Sequence, residues 1–587
     1  MAERDASVRC PGRARGSRWA RVGVAVALLT VGGFTWRFAR GERPEPVRMH
    51  FRDVTEDAGI RFRHTHGGCG ERRFPEMFSS GCAWVDADGD GFLDLLFVDG
   101  APLPGCPDKP HGARLYRSLR NSRFEDWTAA SGIRDRGYGL GCTVGDYDND
   151  GDSDLYITHL GGNSLYRNDG RGHFTEVAHQ AGVRCGRFST SCAFADYDRD
   201  GDLDLYVCNY SEYETADDLK CRPHRDVPTY CRPALLKGQQ DVLYRNNGDG
   251  TFTDVSRAAG IELAEGRRAL GVIWSDLDDD GDMDLYVAND MDPNSLFRNN
   301  GNGTFTEIGA EAGAAVPQGG KVHAGMGVGA ADVDGDGQTD LVVTNFSNEQ
   351  NTVYRNVGSL RFEDRSVRSG LGGPSLPFLG FGAVFADFDL DGDPDLFVAN
   401  GHVWDEVAIL DYGLTYGQRD LLFQNQGNGR FREVGAACGA YFQTDRVGRG
   451  AAAGDYDNDG DPDLVVSNSN QPPSLLRSGV MGSNHWIQLR LAGTRSNRDG
   501  IGARVWTRTG ARTQVAEVTG GGSYCSQGSY WLTVGLGASA AAREVRIRWP
   551  SGATETLGSL AAGRAYRVIE GAGRAEPLPS GPVTPAR

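Results

Sequence analysis

The chain has 587 residues, a formal net charge of −18, 83 glycines and 12 cysteines. That length allows several domains or one large repeat domain. The acidity, with no basic stripe beyond the N-terminus, argues against nucleic acid as a partner, and the glycine content fits a chain with many tight turns.

The N-terminus stands apart from the rest. Arg4, Arg9, Arg13, Arg15, Arg18 and Arg21 precede an apolar run from Val22 to Trp36, and Arg37, Arg40 and Arg43 follow it. This reads as a cytoplasmic segment over 1–18, a transmembrane signal anchor over 19–39 and a linker over 40–47. The run is near the lower length limit for a span, so a cleavable signal peptide is the rival reading. Either way the bulk of the chain is exported to a compartment where disulfides form.

Seven stretches then share the pattern D-x-D-x-D-G-x-x-D, from DADGDGFLD at 86–94 to DYDNDGDPD at 455–463, spaced 50 to 80 residues apart. Their aspartates are Asp86, Asp88, Asp90 and Asp94; Asp146, Asp148, Asp150 and Asp154; Asp196, Asp198, Asp200 and Asp204; Asp276, Asp278, Asp280 and Asp284; Asp332, Asp334, Asp336 and Asp340; Asp387, Asp389, Asp391 and Asp395; and Asp455, Asp457, Asp459 and Asp463. Carboxylates at positions 1, 3, 5 and 9, a turn-forming glycine at 6 and a backbone carbonyl at 7 make an all-oxygen cage for a hard cation. Mg²⁺ prefers more water, and Zn²⁺ would need His or Cys, so the expected cofactor is Ca²⁺, up to seven ions. Seven such ions would bring the formal charge of −18 to about −4. An EF-hand is the wrong frame, because the residues after position 9 (LYIT, LYVC, LYVA) are strand-like where a helix should follow.

Each loop belongs to a longer repeat. In the second repeat an apolar strand (GCTVG) leads into the loop, and DLYIT, SLYRN and FTEVA follow. Four short strands per unit predict a β-propeller blade. Six fourth strands follow loops, and a seventh, FRDV at 51–54, lies ahead of the first. Pairing it beside Leu475–Arg477 would close the ring and leave no bare sheet edge.

The loops join first to second strands and therefore share one face. The long insertions Ala101–Ala113, Tyr210–Gln240 and Gly401–Arg419 join second to third strands, on the other face. They carry Tyr210, Tyr213, Tyr230, Trp404, Tyr412 and Tyr416 with Arg222, Arg225 and Arg232, which suit a contact surface; alternatively, the rings pack their own loops down. Cys82, Cys142 and Cys192 precede their loops by four residues and read as small core side chains. Cys221–Cys231 is the favoured disulfide and Cys69–Cys106 the second.

Beyond Ser478 the repeats stop. Runs such as HWIQLRL and EVRIRW predict antiparallel strands of a small sandwich over 479–572, and the Pro- and Gly-rich tail 573–587 reads as disordered. Together, the repeats of 48–478 resemble the FG-GAP/VCBS repeats of integrin-type propellers. NHW, GTRSNRDGIGARV, GGGSY, SQ, GLG and WPSG of the last segment resemble the ASPIC/UnbV domain. The combination resembles the cartilage acidic protein family and its bacterial relatives. The resemblance implies an all-β fold, a seven-bladed propeller followed by a small β-sandwich, in a surface-attached or secreted calcium-binding protein of a family most of whose members have no established catalytic activity. Cys525 departs from the pattern, which leaves its pairing open.

Three function classes remain on the sequence. The favoured one is a non-catalytic adhesion or interaction module for a surface protein or glycan, held at the membrane by the N-terminal helix. The second is a calcium-dependent carbohydrate-active enzyme such as a polysaccharide lyase, with His64, His66, His323 and His402 as candidate bases. The third is a structural envelope protein. No G-x-S-x-G, H-E-x-x-H or P-loop motif is present.

Overall fold

The computed structural model describes residues 46–107, 112–213, 221–224, 227–410 and 413–578. The segments 1–18 and 19–39, most of the 40–47 linker, Arg225, Tyr412 and the end of the tail lie outside the described residues, as does the side chain of Arg222. Among the described residues no helix is long and apolar enough to cross a membrane.

The chain is all-β. Each aspartate loop joins the first two strands of an antiparallel sheet; the strands run in sequence order except that the seventh sheet ends on Met49–Asp53 and Gly520–Gly521 adds beside the first strand of the fourth. Sheet 2 is representative, with Gly139–Gly145, Asp154–His159, Ser164–Asn168 and Phe174–Glu176. Burial explains the composition. The first two strands of sheet 2 are buried along their whole length, whereas the fourth exposes two of its three residues. An inner strand with apolar neighbours on both faces reads as a continuous small or β-branched run, and an outer strand alternates.

The first strands pack side by side in a closed cycle. Cys82–Val85 touches Gly139–Gly145, then contacts run through Ser189–Ala195, Ala269–Ser275, Val328–Ala331, Gly380–Ala386 and Gly448–Gly454, and back to Cys82–Val85. The expected closure is present. Met49–Asp53 pairs antiparallel with Ser474–Val480, with Phe51 opposite Ser478 and Arg52 opposite Arg477. Phe51 is buried against Phe388 of the sixth aspartate loop and Phe442 of the helical turn 440–443, so the closure is apolar as well as hydrogen-bonded.

The C-terminal segment forms two four-stranded sheets, one of order Leu532–Gly537, His485–Ala492, Arg564–Ile569, Ala575–Pro577 and one of order Arg512–Glu517, Arg504–Thr509, Glu544–Arg548, Thr554–Leu557. Two expectations need correction. His485–Ala492 is antiparallel to Leu532–Gly537 and Glu544–Arg548 to both its neighbours, as expected, but His485–Ala492 runs parallel to Arg564–Ile569; alternation identifies a strand's faces but not its direction. The tail is not irregular from residue 573, since Ala575–Pro577 adds to the sheet edge through backbone pairing to Tyr566–Val568, which requires no side-chain pattern.

The segment is also less separate than its composition implied. Residues 520–530 leave it and enter the axis of the ring, meeting the first strand of every sheet. Ser523 and Val328 exchange backbone hydrogen bonds at 2.6 and 3.0 Å, and the Cys142 N–H donates to the Cys525 carbonyl at 3.2 Å. The Cys525 N–H donates to Ser191 Oγ at 2.9 Å, and the Gln527 N–H to the Cys82 carbonyl at 3.0 Å. The Tyr524 ring lies edge-on to Phe381, 4.9 Å between centroids. Glycine makes room for it: a Cβ at Gly81 would fall 1.6 Å from the Cys525 carbonyl oxygen, and one at Gly450 2.2 Å from Ser526 Oγ.

Candidate metal centres

The seven loops share one hydrogen-bond plan. The position-1 aspartate accepts the N–H of the position-6 glycine at 2.8 to 3.1 Å in every loop. The position-5 aspartate accepts the N–H of position 7 at 2.8 to 3.1 Å. The position-9 aspartate is a clamp. One oxygen accepts the N–H of position 2, and the other, at 2.7 to 2.8 Å, accepts an N–H of the third strand, as from Asn168 to Asp154. Glycine at position 6 is required because its φ lies between 84° and 101° in all seven loops.

Position 3 differs. Oδ1 of Asp88, Asp148, Asp198, Asp278, Asp334 and Asp457 is buried without a hydrogen-bond partner, a costly state unless a ligand uses it. In the sixth loop Gln424 donates to the equivalent Asp389 at 2.9 Å. Carboxylate oxygens of Asp146, Asp148 and Asp154 lie within 4.8 Å of one another, as do those of Asp196, Asp198 and Asp204, and of Asp276, Asp278 and Asp284. The donor set fits a hard divalent cation.

Crowding raises the carboxylate pKa values. Burial first, then Asp499 and the neighbouring aspartates, push Asp146 up to about 7. Burial and the adjacent Asp459 and Asp457 push Asp455 to about 8, and burial carries Asp154 to about 9. A cation among these groups would favour their charged forms.

Arginines from the third strands reach some cages: Arg477 Nε lies 2.8 Å from Asp457, and Arg355 Nη2 lies 2.9 Å from Asp336. The C-terminal segment reaches others. The Asp146 N–H donates to Asp499 at 2.8 Å, the Asp276 N–H to Glu517 at 3.0 Å, and Gln488 donates to Asp455 at 3.2 Å. Arg548 pairs with Asp276 and, at 2.9 Å, with Asp279. Sequence reasoning missed Asp499, Glu517 and Gln488. The GTRSNRDGIGARV motif marked the stretch around Asp499, and nothing in it told which loop the segment covers.

Three of the four candidate histidines are already engaged by backbone N–H groups. His64 is buried with both ring nitrogens engaged, to Ser80 Oγ at 3.1 Å and to the Asn470 N–H at 3.2 Å, and burial lowers its pKa to about 3. His66 accepts the Gly68 N–H, and His402, fully buried, accepts the Trp404 N–H, both at 3.0 Å. His323 is partly buried and its pKa is lowered by burial. On the insertion face, Tyr210 and Tyr230 are buried, not displayed: Tyr210 donates to Asp290 at 2.6 Å and Tyr230 to Glu76 at 3.1 Å. Tyr213, Trp404 and Tyr416 are half-buried and Arg232 is exposed. Among the described residues the insertions bury Tyr210 and Tyr230 as core and partly cover the other three rings. Both expected disulfides are present, Cys69–Cys106 and Cys221–Cys231. Cys525 is free and buried, as are Cys82, Cys142 and Cys192.

The FG-GAP-like repeat model matches residues 86–157, 146–207, 234–287, 276–343, 332–398 and 400–466, and the ASPIC and UnbV model matches 493–575. The chain belongs to the FG-GAP-repeat proteins that end in an ASPIC/UnbV domain. It is 27% identical over 350 residues to cartilage acidic protein 1 of Homo sapiens, covering 57% of this chain and 49% of that protein. The Xenopus tropicalis protein is 25% identical over 345 residues, with 57% and 50% covered. The chain thus spans about half the length of the relatives it matches. Among solved structures it is similar to an Agrocybe aegerita lectin that recognises non-reducing terminal N-acetylglucosamine, at 19% identity and a TM-score of 0.35, covering 60% of this chain and 77% of the lectin.

Proposed function

We propose that the chain is a calcium-loaded, seven-bladed β-propeller that carries its ASPIC/UnbV domain, a β-sandwich, on the loop face. We propose further that it works outside the cytoplasm as a non-catalytic interaction module for a surface protein or glycan. The observation that carries the metal reading is the recurrence, in six loops, of a buried position-3 carboxylate oxygen with no partner. Asp at positions 1, 3, 5 and 9 of each loop would hold the ion, which supplies charge neutralisation inside the turn. The loop then pins the first two strands of its blade, so binding only to the folded form stabilises the whole ring.

Two disulfides favour an oxidising compartment. The arginine-rich front and the apolar residues 19–39 favour retention at the membrane by an uncleaved anchor. The long connections opposite the loops, on a rigid scaffold, favour binding over chemistry, and His64, His66 and His402 each have a ring nitrogen taken up by a backbone N–H. Metal analysis of the dialysed full-length chain, together with its melting temperature in calcium and in chelator, tests the reading. Several bound calcium ions and a large downward shift in chelator are expected; no bound metal and no shift would refute it.

A further inference from the structure

At the insertion-face end of the axis lies a pocket of about 270 Å³. Separate parts of the chain build it. Met77 and Phe78 come from the segment ahead of Cys82–Val85, Tyr210 and Arg232 from the insertion 210–240, Trp404 from the insertion 401–419, and Tyr524 from the ASPIC/UnbV segment that enters the ring. Leu270 and Phe381, from first strands, and Met326, just ahead of one, make the lining continuous. The volume is nearly twice that of a ~150 Å³ apolar cavity that accepts benzene. One ring with a short aliphatic arm, or two fused rings, would fill it.

Charge decides what the ligand carries. Three acidic or basic side chains line the pocket, and two of them are carboxylates already engaged. Asp290 accepts the Tyr210 hydroxyl at 2.6 Å. Glu349 accepts Lys321 at 3.1 Å and the Ala324 N–H at 2.9 Å. Arg232 is exposed, and among the described residues its guanidinium makes no ion pair or hydrogen bond. An apolar hollow with one uncommitted guanidinium at its mouth is complementary to an apolar group that bears an anion.

We propose that this pocket binds small apolar carboxylates, the acid facing Arg232 and the hydrocarbon resting on Phe381, Met326 and Tyr524. The proposal deepens the reading of the chain as a binding module by naming a ligand class, and rests on it. The test is calorimetric titration of the full-length chain, in calcium, with 4-phenylbutyrate and with uncharged 4-phenylbutanol. Saturable one-to-one binding of phenylbutyrate is expected. Arg232→Gln should weaken phenylbutyrate about tenfold and leave phenylbutanol unchanged. Val403→Trp, at the half-buried mouth, should abolish both. Absence of saturable binding, equal losses for both probes in Arg232→Gln, or unchanged binding in Val403→Trp would each overturn the proposal. The chelator shift of the same preparation separates this failure from failure of the calcium reading, since it does not involve the pocket.

Discussion

Asp241 offers a test of the repeat logic inside one molecule. Its Oδ1 accepts the Asn209 N–H at 2.7 Å and its Oδ2 the Tyr206 hydroxyl at 2.8 Å. In sheets 2 and 4 an asparagine does the same work. Asn163 accepts the His159 N–H at 2.9 Å and donates to Tyr156, and Asn294 accepts the Asn289 N–H at 3.0 Å and donates to Tyr286. There the tyrosine hydroxyl donates to a backbone carbonyl, of Val183 or Ala314; Ile261 stands at that place in sheet 3. Burial raises the Asp241 pKa from 3.8 to about 7, against the opposing pull of the Asn209 N–H, the Tyr206 hydroxyl, Arg187 and Arg267. Because the folded value is raised, the stabilising contribution is fully present below about pH 4 and is lost as pH rises through 7. At 1.36 kcal/mol per pKa unit the full loss is on the order of 4 kcal/mol. Partial solvent contact of the residue and the exchange of a charged acceptor for a neutral one reduce the expected gain of Asp241→Asn to about 2 kcal/mol at pH 8. At pH 4 the gain should vanish. Urea unfolding of wild type and variant, both saturated with calcium, at pH 4, 6 and 8 reads this difference directly. A variant less stable than wild type at pH 8, or a difference that does not change with pH, would refute the argument.

Within a loop, the position-9 and position-3 aspartates should behave differently. In chelator, Asp148→Asn should be neutral or stabilising because it removes a negative charge with one buried, unpartnered oxygen, whereas Asp154→Ala should cost about 2 kcal/mol by orphaning the Tyr147 and Asn168 N–H groups; in calcium both should lower the melting temperature. Replacing Cys69 and Cys106 by serine should cost more than replacing Cys221 and Cys231, about 4 against about 3 kcal/mol by chain entropy, because the first bridge closes 37 residues and the second 10. Denaturant midpoints of the two double variants, taken in calcium, check the order. Tyr524→Ala, in the segment that enters the ring, should cost about 3 kcal/mol in stability and abolish phenylbutyrate binding; binding retained at wild-type strength would separate that side chain from the pocket.

The repeats were readable because one physical constraint recurs seven times. A turn that must hold carboxylates together and place its sixth residue at positive φ leaves the same letters at the same spacing each time. The closing pair was readable for a related reason: seven loops with six following fourth strands leave one strand over, and FRDV supplied it. The entry of residues 520–530 into the ring had no such signature. Its partners are backbone carbonyls and amides of strands lying hundreds of residues away, as with Cys525 and Cys142 or Ser523 and Val328, and a backbone group is the same whatever residue carries it. The traces it leaves are absences, at Gly81 and Gly450, where any side chain would collide. In a chain with 83 glycines those two look like ordinary turn residues. The insertion-face aromatics misled for the complementary reason. Tyr210 and Tyr230 sit in long polar connections, where a ring normally signals contact with a partner. The partner of most of these rings is instead the chain's own ring end, where Tyr524 arrives from the other face to complete an apolar cluster with Phe78, Phe381 and Tyr210. Among the described residues, the small hollow that this cluster leaves unfilled is therefore where we propose a ligand, rather than the full spread of the insertions.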